Sequence, residues 1–156
     1  MNSDIFITLF SRDLKKLRKE IEQYQSENAL WVQLPGTINP GGNLCQHLIG
    51  NLRTYVGLTL GGYAYVRDRD AEFSQKKFTQ LQMLTELDQL HEIVIDTLER
   101  LDEQKMEEEY PREVVNLFPK QTVRLILTHL LAHLSWHLGH INYHRRWVAQ
   151  VQAAQQ

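Results

Sequence analysis

Apolar residues recur at steps of three and four through four long stretches of this chain, and glycine and proline cluster in the gaps between them. A chain built this way folds as helices that share their apolar faces. In residues 3–27 the stripe is Ile5, Phe6, Leu9, Phe10, Leu14, Leu17, Ile21 and Tyr24, with Lys15, Lys16, Lys19 and Glu20 between, and Asn2 or Ser3 is available as N-cap. Leu34-Pro35-Gly36 through Pro40-Gly41-Gly42 cannot continue a helix, because proline lacks the donor and glycine costs backbone entropy. Asn43 then caps a second helix, which runs to about Leu60 and ends at Gly61-Gly62.

Residues 63–78 alternate in charge without a sustained apolar stripe and read as an ordered crossing rather than a helix. Leu81, Leu84, Leu87, Leu90, Val94, Leu98 and Leu101 predict a third helix over residues 79–104. Residues 105–120 carry Glu107-Glu108-Glu109 and two prolines and read as a loop, and the fourth helix starts at Gln121 or Thr122 and runs to about Val151. The expectation is an all-α four-helix bundle forming a single domain over residues 1–156. At ~3.3 Å per extended residue, the crossing is long enough to travel the length of a helix, so the second and third helices are free to run parallel.

Composition narrows the function classes. Seventeen Lys plus Arg against nineteen Asp plus Glu, a net charge of −2, provide no field to attract nucleic acid or anionic lipid. The single cysteine, Cys45, excludes an intramolecular disulfide framework and suits a reducing compartment, so a cytoplasmic location is expected. The N-terminus lacks signal-peptide character, and the most apolar stretch, residues 125–141, contains four histidines, so no membrane span is expected.

Those histidines are the chemical anomaly. Five of the seven, His129, His133, His137, His140 and His144, lie in the fourth helix, at about 0°, 40°, 80°, 20° and 60° around its wheel. The strip overlaps one edge of the face formed by Ile126, Leu130, Leu134, Leu138 and Ile141, with His137 deepest by this measure. Buried imidazoles need partners, because each has a donor and an acceptor that water no longer satisfies. Rings at i and i+4 can bend toward one ion, as His133 and His137 or His129 and His133 would, and His47 on the second helix is the candidate third ligand. A lone core histidine hydrogen-bonded to a neighbour is the simpler reading of His47 taken alone. His91 lacks such company and is expected to be exposed.

Several metal architectures fail on spacing. His133 is followed by Leu134, so there is no His-Glu-x-x-His, and the nearest approach to a ferritin-like Glu-x-x-His is Asp88-x-x-His91. Gly-rich phosphate loops and Gly-x-Ser-x-Gly elbows are also missing.

The segments Asn43-Leu-Cys-Gln-His47-Leu-Ile-Gly50-Asn51, Arg67-Asp-Arg69-Asp70-Ala-Glu72-Phe73 and His133-Leu-Ser-Trp-His137-Leu-Gly139-His140-Ile141 together resemble the DinB-like superfamily. The resemblance covers nearly the whole chain in element order. It implies an up-down-down-up bundle and a divalent ion, zinc or nickel, held by three histidines, which fall here on His47, His133 and His137. It further implies an enzyme that activates a thiol or water for S-transfer to, or hydrolysis of, a small-molecule substrate, with a low-molecular-weight thiol as cosubstrate. His140 stands where such proteins often carry Gln. His129 then belongs beside the site or at the surface and His144 at the bundle end.

Cys45 lies about 160° from His47 on the helix and reads as a small buried residue. Gly50 and Gly57 read as packing glycines, and Asn51 as a residue that could orient His47. Asp68, Asp70 and Glu72 read as salt-bridge and turn residues with Arg67 and Arg69, and as a source of general base only if the crossing folds over the site. The competing function is a noncatalytic metal-binding or interaction bundle. Trp31, Trp136 and Trp147 would suit a homodimer surface, and covering loops account for them equally well. Because imidazole binds metal only when neutral, occupancy is expected to weaken below pH ~6.5.

Overall fold

A computed structural model describes residues 2–113 and 119–156, the side chains of Asn2 and Ser3 excepted. The described chain is helical, in the order α1 (Asn2–Glu22), a 3-10 turn (Asn28–Trp31), α2 (Gly41–Leu52) continued by a π turn (Arg53–Leu58), α3 (Arg69–Ser74), α4 (Gln80–Glu99), α5 (Glu103–Glu107) and α6 (Val123–Ala154). An isolated antiparallel bridge joins Glu109 and Thr122. No helix among the described residues is long and apolar enough to cross a membrane.

The long elements follow the apolar spacing. Phe6, Phe10, Leu14, Leu17 and Ile21 of α1 are buried in one cluster with Leu44, Leu48 and Leu52 of α2, Leu87, Leu90, Val94 and Leu98 of α4, and Ile126, Leu130, Leu134 and Ile141 of α6. Each large aliphatic or aromatic side chain so buried contributes about 1.5–3 kcal/mol, which is why the stripe dominates the fold. α1 packs against α4 and α6, and α2 packs against the same two helices. The outermost members of two stripes, Ile5 and Leu81, remain exposed.

Boundaries differ from the periodicity for identifiable reasons. α1 stops at Glu22, five residues short of expectation, because the Gln80 side chain donates to the carbonyls of Ile21 and Tyr24 at 2.9 and 3.1 Å and closes the helix end. The N-cap expected of Asn2 or Ser3 involves side chains outside the described residues. α2 begins at Gly41 with Pro40 at its N-cap, so Asn43 is not the cap; its amide is used elsewhere. Gly62, at φ 74°, ends the π turn's extension in the left-handed region that glycine alone enters cheaply. α4 ends at Glu99 rather than near residue 104, because Asp102 accepts from Lys105 N and starts α5 inside the stretch read as loop. Residues 114–118 of that loop lie outside the described residues.

The crossing is the largest departure. It contains a short helix, α3, capped by Asp68 through Ala71 N, and it packs against α2. Polar side chains of α2 dock it: Asn43 Nδ2 and Gln46 Nε2 both donate to Glu72 O at 3.0 Å, Gln46 Nε2 also donates to Gln75 O at 2.8 Å, and Gln46 Oε1 accepts from Lys77 N at 2.6 Å. Every residue of α2 is consequently buried.

Candidate metal centre

α6 carries His133 and His137 one turn apart, and α2 lies against it with His47 facing them. One nitrogen from each ring falls within 4.8 Å of the others. Ring centroids are 4.6–5.4 Å apart, with interplanar angles of 81–89°. His47 Nε2 faces His133 Nε2 at 3.1 Å. The structure therefore brings together the three residues expected to hold a metal.

Behind His47 stands a carboxylate. Glu72, 1% exposed, places Oε1 at 3.1 Å from His47 Nδ1, while Arg67 donates through Nη2 to Oε1 and through Nε to Oε2, both at 2.9 Å. Arg67 Nη2 also approaches His47 Nδ1 at 3.3 Å, but it is already committed to the nearer carboxylate oxygen. The ring proton of His47 therefore sits on Nδ1 and donates to Glu72, leaving Nε2 as a bare lone pair aimed at His133. Burial opposes charge on Glu72, but hydrogen bonds from His47 and Arg67 and the guanidinium charge outweigh it and hold the carboxyl below the usual range. An acid so stabilised in its ionised form is a poor general base.

The charge and proton pattern of the cluster suits a cation. Burial, reinforced by neighbouring imidazoles, pushes His133 down to about 3 and His137 to about 4, so both rings are neutral near pH 7. His133 Nδ1 is buried with no partner among the described residues. If its proton is there, a donor is wasted and two lone pairs confront each other across 3.1 Å; if it is on Nε2, the buried Nδ1 lone pair goes unsatisfied. A divalent ion accepting from Nε2 removes the lone-pair conflict, and the three donors match zinc-type ligation.

The other histidines separate. His129 stacks on His133 at 6.3 Å and is half-buried. His140 is exposed, its Nδ1 3.4 Å from His137 Nδ1. His144, expected at the bundle end, meets Tyr24 and Val32 just beyond the end of α1 and is the most buried of the strip: Nε2 donates to Val32 O at 2.8 Å and Nδ1 accepts from Tyr24 Oη at 2.7 Å. His137, ranked deepest on the wheel, is only half-buried. His91 is half-buried rather than exposed, with Nε2 2.9 Å from Ser11 Oγ.

Cys45 is fully buried and its thiol pKa is pushed up by burial, so it offers no reactive thiolate. Asn51 is buried with Oδ1 unpartnered, and the orientation of His47 falls to Glu72 instead. Glu72 is both the ion-pair partner of Arg67 and the residue that the sequence did not single out for His47. The readable signal was Asp68 as N-cap with acids in the following turn, which marks a short helix and fixes where Glu72 points.

Over residues 4–154 the chain matches a family described as a protein of unknown function (DUF1572). Among curated proteins, none matches it.

Proposed function

The chain belongs to the DUF1572 family, whose description states no activity, and we propose from the site itself that His47, His133 and His137 bind a divalent ion, zinc or nickel, as the centre of a small-molecule enzyme. The observation that supports this most is the convergence of three imidazoles from two helices, with two of them held neutral by burial and the third fixed in its tautomer by Glu72. When bound to three neutral ligands, such an ion keeps its full charge and an exchangeable position, and so acidifies a coordinated water or thiol.

The chain's residues supply the rest. Glu72 keeps the His47 proton on Nδ1, and Arg67 keeps Glu72 ionised. The buried Cys45 cannot serve as nucleophile, so a thiol would arrive as a low-molecular-weight cosubstrate. The similarity to DinB-like proteins, with their up-down-down-up bundle, supports S-transfer or hydrolysis as the reaction class. A noncatalytic reading draws on His140: its imidazole lies beside His137 but outside the converging three, and turned inward it would close the site with a fourth nitrogen, as structural zinc sites are closed.

Metal analysis of tag-free protein tests the site. About one equivalent of metal per chain is expected, falling to a small fraction in each of His47→Ala, His133→Ala and His137→Ala. Metal retained in all three overturns the assignment. Equal loss in His140→Ala marks a closed, structural site. Turnover of a chloronitrobenzene or an epoxide with a low-molecular-weight thiol supports transfer, and turnover of an ester supports hydrolysis; inertness toward all of them favours the binding role.

A further inference from the structure

Two arginines of the crossing, two positions apart, are in opposite electrostatic conditions. Arg67 is tied at two points to Glu72 and its charge is spent there. Arg69, in the first turn of α3, is exposed, and no ion pair joins it to a carboxylate among the described residues; its guanidinium lies over the Phe73 ring, 5.3 Å from the centroid. Phe73 packs on His47 with ring centroids 4.8 Å apart. A free positive charge is thus held one aromatic ring away from a candidate ligand.

α6 supplies a second aromatic surface next to the cluster. Trp136 lies nearly flat on His137, at 5.5 Å and 22°, yet remains 65% exposed, with His140 against it at 5.2 Å. A large indole with one face on a candidate ligand and much of its surface open is an unfilled stacking platform. Phe73 and Trp136 come from separate elements and each touches a different histidine of the three.

Building on the metal reading above, we propose that Arg69, Phe73 and Trp136 select a small molecule with a flat or aromatic body and an anionic group. Arg69 takes the oxyanion, which a guanidinium pairs through two parallel N–H donors. Phe73 and Trp136 hold the body beside the histidines. Arg69 stands between the exposed Asp68 and Asp70 but forms an ion pair with neither, so its donors are open to an external oxyanion.

The test uses the zinc-loaded full chain and two probes of equal shape, 4-nitrobenzenesulfonate and the neutral methyl 4-nitrophenyl sulfone, titrated calorimetrically at low salt. A sulfonate is a weak zinc ligand, so a preference for it reports on Arg69 rather than on the metal. The sulfonate is expected to bind ~10-fold tighter than the sulfone, Arg69→Gln to abolish that preference, Arg69→Lys to restore part of it, and Trp136→Ala to weaken both probes alike. Equal binding of the probes, a preference that survives Arg69→Gln, or no binding of either at millimolar concentration overturns the proposal. Zinc content measured beforehand keeps the two readings apart: wild-type protein that takes up no zinc defeats the metal assignment, whereas zinc-loaded protein indifferent to Arg69 defeats only this one.

Discussion

A β-carbon at position 50 would stand 1.9 Å from Glu72 Oε2 and 3.3 Å from Arg67 Nε, so glycine there is what lets the carboxylate lie against α2 behind His47. At position 139 a β-carbon meets nothing within 4 Å. The same substitution should therefore act in opposite directions. Gly139→Ala is expected to stabilise the protein by about 1 kcal/mol through helix propensity. Gly50→Ala should forfeit that gain and, by displacing Glu72, weaken zinc binding by roughly 10–100-fold, as should Glu72→Gln. Competition with a chromogenic chelator measures the affinities; Gly50→Ala and Glu72→Gln proteins with unaltered zinc affinity would remove Glu72 from the site. The strip of histidines was visible in the sequence, and the resemblance set His133 and His137 apart within it, but the partners of His144 were not visible. His144 turned out to be consumed by Tyr24 and Val32, because only packing shows which imidazole already has both nitrogens satisfied.

Helix starts were more legible than helix ends. Thr79-x-x-Gln82 is a capping box: Thr79 Oγ1 accepts from Gln82 N at 3.2 Å and the Gln82 side chain accepts from Thr79 N at 2.9 Å. Thr122 likewise caps α6 through Leu125 N. Thr79→Ala should cost about 1 kcal/mol, seen as a lower urea midpoint with unchanged slope. The end of α1 was set by a residue far along the chain, Gln80, and periodicity cannot register such a partner. α3 leaves no periodic signal because its six residues are too few to show a stripe, and Gly50, Asn43 and Gln46, which receive it, lie on another element.

For the molecule as a whole, the neutral histidines link stability to pH. In the folded, metal-free chain His133 and His137 titrate at about 3 and about 4, and burial depresses His144 as well, whereas unfolded imidazoles take up protons near pH ~6.5. Between those limits the unfolded state binds more protons, so stability should fall as pH drops through ~6.5 and continue falling until the folded rings protonate. Urea midpoints of chelator-treated protein at pH 7.5, 6 and 5 check this, and a flat series would show rings that titrate normally when folded. For His133 and His137 the competition between proton and metal accordingly begins lower than the ordinary imidazole value suggested.

Helical periodicity and the placing of five imidazoles on one side of α6 follow from the chain alone, because each residue's rise and turn along a helix are local properties. The meeting of His133 and His137 with His47, and the arrival of Glu72 behind it, required the tertiary structure. Helix packing set the facing of α2 and α6, and hydrogen bonds between residues 25 to 32 apart in sequence laid the crossing over α2. Neither leaves a periodic trace in the sequence.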